Sequence, residues 1–296
     1  MLLLLIGSIV LTSYLTLSFK VCERYSIRTF QAIIFNYITC VVTGSIVNGS
    51  FPVVPVNFQQ DWFKWALLMG VMFVSIFNLL AYTTNKAGVA VASVANKLSM
   101  VIPAAFSVWL YDETMGWIKL LGIFIALIAV LLTSLQQKND AQHTVKWFVF
   151  ILVGALFISS GLLDTTIKYV EHQFLNEANK NDYLVSAFFS AASIGSILLC
   201  VQLLRGKQHF QWKALLAGIG IGIPNYFSIW CLVKVLKQPP YGLQSSAIIP
   251  VNNMGIVLFS AIVAFLLFKE QLSKINWLGI FLSVLAIILI AYGDKL

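Results

Sequence analysis

Runs of about 18 or more apolar residues recur along the chain between short polar connectors, close to the length a helix needs to cross a hydrocarbon core of roughly 30 Å. They predict helices at residues 2–19, 29–47, 63–84, 88–111 and 115–135. After the polar stretch QQKNDAQHTVK, further helices are predicted at 147–167, 183–204, 212–235, 243–268 and 275–292. Lipid offers the backbone no hydrogen-bond partner, so each run must satisfy its own N–H and C=O groups. Runs of this composition do so as helices rather than as alternating barrel strands. The expected fold is all-α, a polytopic membrane protein with ten transmembrane helices. The first run, MLLLLIGSIVLTSYLTLSF, has no basic segment before its apolar core and no clear small-x-small cleavage pattern, so it reads as a first membrane helix rather than a signal peptide.

The two sets of five helices echo one another. ETMGWIKLLGIFIALIAVLL, from Glu113, matches EQLSKINWLGIFLSVLAIIL, from Glu270, with Gly122 falling on Gly279 in a shared LGIF. At the same spacing of 157 residues Asn96 falls on Asn253, and Lys20-x-x-Glu23 recurs as Lys168-x-x-Glu171 at a spacing of 148. Apolar matches are cheap in membrane helices, so the Gly, Glu, Asn and Lys matches carry the weight. Five is an odd number, and a copied five-helix unit enters the membrane upside down. The pattern therefore predicts two inverted five-helix repeats, 1–135 and 147–296, joined by a connector at 136–146, with a binding site between them near the midplane.

Composition narrows the class. Of the 296 residues, 59% are hydrophobic and 10% charged, against about 25% charged in soluble domains, and no stretch is polar enough for a separate soluble domain. The net charge of +8 is spread one to three Lys or Arg at a time between apolar runs, as in membrane loops, which argues against a nucleic-acid partner. Cys22, Cys40, Cys200 and Cys231 lack paired spacing, and His143, His172 and His209 fall in connectors without a His-Glu-x-x-His pattern. No metal, cofactor or enzymatic activity is expected from them.

Polar residues inside the runs point to a substrate pathway. Lys97 stands about ten residues from either end of its predicted helix, where an unpaired lysine costs about 2.5–3.5 kcal/mol even on the lenient insertion scale. Its ammonium is read as a receptor for an anionic group of the substrate, or, on the plainer account, as a salt-bridge partner of Asp164. Asn96, Asn252 and Asn253 add amides that donate to a carboxylate and accept from an ammonium, which suits a zwitterion. Asn78, Tyr82, Asn225 and Tyr226 complete the pathway. Pro103, Pro224 and Pro250 are expected to kink helices 4, 8 and 9. Glu113 and Glu270 precede helices 5 and 10, as N-terminal caps. Gly218-x-x-x-Gly222 reads as a close helix contact rather than a phosphate loop. Trp62, Trp65, Trp117, Trp147, Trp212 and Trp277 near helix starts read as interfacial anchors.

Two five-helix halves in about 300 residues, each closing with a short acidic loop (Asp112-Glu113, Lys269-Glu270) and an LGIF helix, resemble the EamA-type carriers of the drug/metabolite transporter superfamily. The sequence departs from the commoner pattern of that family at Asn96-Lys97 and Asn252-Asn253. The resemblance implies a carrier of small metabolites, proton-coupled, exchanging or exporting, in the bacterial cytoplasmic membrane, with helices 5 and 10 as scaffold and Glu113 and Glu270 open to a gating role. The expected function is secondary transport of an amino acid or related amphiphilic compound by alternating access. The alternative is a non-transporting membrane sensor or assembly factor. Expected partners are the small-molecule substrate and membrane lipid, with a coupling proton and a homodimer left open.

Overall fold

In a computed structural model the chain is helical, with no strand among the described residues, which are 1–103, 106, 116–134, 143–176, 179–237, 245–269 and 272–292. The helices are α1 (Leu2–Arg24), α2 (Thr29–Asn48), the single turn α3 (Pro55–Phe58), α4 (Asp61–Ala87), α5 (Val89–Leu98) and α6 (Trp117–Ser134). They continue with α7 (His143–Phe174), α8 (Lys180–Leu204), α9 (Trp212–Lys237), α10 (Ser245–Phe268) and α11 (Lys274–Tyr292). Among the described residues, seven helices are long and apolar enough to cross a membrane: α1, α2, α4, α8, and the parts Trp147–Ile167, Trp212–Leu232 and Val251–Phe268 of α7, α9 and α10. Val89–Pro103, Leu120–Thr133 and Lys274–Ile290 are apolar but shorter.

Every apolar run of the sequence thus carries a helix, and the largest departure is in the fourth. There α5 stops at Leu98, Ser99 and Met100 form a turn, and helical conformation resumes at Val101–Pro103. The cause is Pro103, whose ring nitrogen has no hydrogen to give the carbonyl four residues back, that of Ser99. The Ile102 N–H takes that carbonyl instead, at 2.9 Å, in a tighter three-residue bond. At the other end of α5, Gly88 joins α4 to α5 with φ +95°, a conformation that favours glycine.

The chain divides into two compact units, each drawing on both halves of the sequence: Met1–Lys20, Tyr82–Thr165 and Ser228–Leu296 form the first, Val21–Ala81 and Thr166–Phe227 the second. In the first unit α6 and α11 pack closely along their length, and α5 packs on α10 and α6. A Cβ on Gly122 would lie 3.0 Å from the Ile290 nitrogen, and one on Gly279 2.8 Å from the Thr133 nitrogen. The start of each helix therefore meets the end of the other, so the two run antiparallel with backbones nearly touching.

Asn276 locks the same pair. Its Nδ2 donates to the carbonyls of Leu132 (3.2 Å) and Thr133 (2.9 Å), which end α6 without helical partners. Its Oδ1 accepts from the Ser273 N–H at 2.9 Å, while its own N–H donates to the Ser273 hydroxyl at 3.1 Å, a reciprocal cap on α11. Asn276→Ala is expected to destabilise the protein by about 1–3 kcal/mol, because two carbonyls lose their donor; a lower unfolding midpoint in detergent would register it.

In the second unit α2 packs on α8, with Tyr37 fully buried, its ring stacked on Phe73 and Phe188 and its hydroxyl donating to the Phe73 carbonyl at 2.9 Å. Gly218 and Gly222 of α9 lie directly against Ala32, Phe35, Asn36 and Thr39 of α2, the close helix contact their spacing predicts. At the mouth of α2 two glutamines clasp each other's chain segments. The Gln211 N–H donates to Gln31 Oε1 at 3.0 Å, Gln31 Nε2 to the His209 carbonyl at 2.8 Å, and the Arg28 N–H to Gln211 Oε1 at 2.8 Å.

The tryptophans split by environment. Trp117, Trp147 and Trp212 are strongly exposed at helix starts, and Trp277 is also exposed, as interfacial anchors are. Trp62 is buried against Tyr183, and Trp65 packs on Tyr169 and Phe174.

Candidate functional site

The interruption of the fourth helix changes the setting of Lys97. Rather than standing in the middle of a continuous helix, Lys97 occupies the last turn of α5, where carbonyls without helical partners carry the negative end of the helix dipole and favour a cation. The side chain is half-buried. Asp164, also half-buried, is brought within electrostatic reach of it by α7. The means is Gly161, one turn earlier on α7, which has no side chain to hold off Ile102 just beyond the break. The Ser99 hydroxyl donates to the Asn96 carbonyl at 2.6 Å and lies within reach of the Asp164 carboxylate, to which it could turn its single proton instead.

From α10, Asn253 reaches the same turn, its Nδ2 donating to the Met100 sulfur at 3.5 Å. Its neighbour Asn252 is 3% exposed, with an amide oxygen that meets no donor. Ser93, one turn before Lys97 on α5, and Ser160, one turn before Asp164 on α7, share that condition, as do Ser8, Thr83, Thr84 and Ser260 elsewhere in the first unit. Buried polar atoms without protein partners call for water or a ligand. Lys97, Asp164 and Asn253, with Asn252 next to it, thus combine an ammonium, a carboxylate and amides about one helix break, with hydrogen-bonding capacity unspent nearby. Asn96 is half-buried beside Lys97.

The other sequence-chosen residues have different surroundings. Asn78 donates to the Val74 carbonyl of its own helix at 2.7 Å and belongs to the second unit. So do Asn225, whose Nδ2 donates to Asn36 Oδ1 at 3.1 Å, and the buried Tyr226, which packs against Gly44. Tyr82, in the first unit, is exposed, edge-on to Phe148, with the Lys86 ammonium 5.8 Å from its ring. Pro224 lies inside α9 and Pro250 within α10. Glu113 and Glu270 lie outside the described residues. Sequence reading passes over Met100 and Asn36. Pro103 is the signal for the first, since its missing N–H opens a turn at Ser99–Met100.

Apolar membrane-length helices and a charged cluster set within them define a polytopic membrane protein. Residues 1–135 match the EamA-like transporter family, part of the drug/metabolite transporter superfamily. Members of the family are transporters rather than enzymes. An uncharacterised protein of Haemophilus influenzae is 25% identical over 99% of this chain and 98% of its own. A protein of known crystal structure shares the fold, with a TM-score of 0.61 over 97% of this chain and 94% of its own, at 13% identity.

Proposed function

We propose that the protein is a secondary carrier of a small zwitterionic metabolite, an amino acid or a related amphiphilic compound, exporting or exchanging it by alternating access across the bacterial cytoplasmic membrane. The observation that carries this reading is the group at the α5 break. Lys97 is the donor for the substrate carboxylate, and Asp164 with the amides of Asn96, Asn252 and Asn253 receives its ammonium. A charged pair in a membrane interior is costly unless it serves a pathway, and a broken helix with its free carbonyls at such a site is a recurrent feature of secondary transporters.

Ten membrane crossings in two inverted five-helix repeats fit the same reading. The reciprocal contacts of Gly122 with Ile290 and Gly279 with Thr133 join positions related by one spacing of 157 residues in two antiparallel helices, as a two-fold axis in the membrane plane would do. Asn78, Tyr82, Asn225 and Tyr226 are proposed to line the substrate's route, Pro103, Pro224 and Pro250 to serve as hinges, and Glu113 and Glu270 as gates or caps.

The test is uptake of labelled amino acids by proteoliposomes of the purified full chain preloaded with the unlabelled compound. Saturable counterflow of leucine or another neutral amino acid is the expected result. Absence of any saturable flux from correctly folded protein would remove the carrier reading in favour of a sensor or assembly factor.

A further inference from the structure

We propose that Asp164 acts as a charge filter, keeping the site neutral beside Lys97 so that a zwitterion is admitted and a free monoanion refused. This rests on the carrier reading above and assigns the residue that sets its charge selectivity.

Three observations bear on it. Asp164 lies within electrostatic reach of Lys97, and along the described helices of the first unit it is the single acidic residue, so none of those helices brings a second carboxylate to that ammonium. The turn of α7 that carries the carboxylate is seated against the helix break, since Gly161 puts no side chain between α7 and Ile102, and the Ser99 hydroxyl lies within reach of it. Finally, the buried partnerless oxygens of Ser93, Ser160 and Asn252 give a guest polar contacts but no further charge.

The consequence follows from Coulomb's law in a poorly solvating interior. A guest carboxylate drawn to Lys97 also meets Asp164, and like charges at short range are strongly unfavourable there. A zwitterion offsets that repulsion by giving its ammonium to Asp164. A monoanion has nothing to give and leaves the cluster with net negative charge. Removing the Asp164 charge inverts the balance, since the site becomes cationic and the anion becomes the better guest.

The experiment compares counterflow of leucine with that of N-acetylleucine, which keeps the side chain and carboxylate but loses the ammonium, in proteoliposomes of the full chain. Wild type is expected to favour leucine, and Asp164→Asn to shift the ratio toward N-acetylleucine by at least about tenfold. Equal handling of the two by wild type, or an unchanged ratio in a folded Asp164→Asn protein, overturns the filter and leaves the carrier reading standing. Transport of neither compound by wild type removes both. Where Asp164→Asn does not fold because it strands the ammonium, competition against wild-type leucine counterflow decides the matter: external N-acetylleucine is to compete at least about tenfold more weakly than external unlabelled leucine, and equal competition would overturn the proposal.

Discussion

Lys97→Met is expected to reduce saturable leucine counterflow by about ten- to a hundredfold, the loss of one hydrogen bond to a charged partner. Methionine keeps the length and flexibility of the side chain and removes the ammonium that receives the carboxylate. The same substitution also strands Asp164. Breaking a fully buried pair costs about 3–5 kcal/mol, and less is expected here because both side chains are half-buried. Stability and transport are therefore separated by a companion variant, Lys97→Met/Asp164→Asn, which removes the stranded charge and is expected to regain thermal stability without regaining flux. Uptake at the wild-type rate by either variant would take Lys97 out of the pathway and leave it as a structural partner of Asp164.

The helices were legible in the sequence because their signal, length and apolarity together, is written locally in each run. Lys97 was legible as an anomaly for the same reason. Its setting was not, since a proline disturbs the carbonyl four residues upstream of itself, so the kink expected at Pro103 is expressed as a turn at Ser99–Met100 and moves Lys97 from mid-helix to a helix end. Pairings between distant segments were also out of reach. Gln31 and Gln211 are 180 positions apart and sit near connectors, where polar residues are unremarked. Asn36 is one polar residue in an apolar run, and its bond to Asn225 depends on which faces of α2 and α9 meet. Facing explains the tryptophans too. A Trp near a helix start reads as an anchor, yet Trp62 and Trp65 turn inward onto aromatic neighbours, while Trp117 and Trp147 turn outward. Helix existence is set by composition, whereas facing is set by the partner helix.

The α6–α11 pair should respond to its two glycines alike. Gly122→Ala and Gly279→Ala are each expected to destabilise the protein by about 1–3 kcal/mol, the usual penalty for overpacking a tight contact. The added methyl at Gly279 would meet the Thr133 nitrogen at 2.8 Å and the Ala129 oxygen at 3.0 Å. At Gly122 it would meet the Ile290 nitrogen and the Leu289 Cβ, both at 3.0 Å. Backbone atoms cannot rotate away as a flexible side chain does, so relief requires the helices to part. The two sites lie at opposite ends of an antiparallel pair and share no contact atom, so their effects should add in the double variant. Leucine at either position should leave no monodisperse protein in detergent. Gly154→Ala is the control, since a Cβ there has no neighbour within 4 Å, and its unfolding midpoint should match the wild type. If one glycine of the pair tolerated leucine while the other did not, the reciprocal packing that relates the two helices would not govern their association, and the repeat reading built on it would lose its structural support.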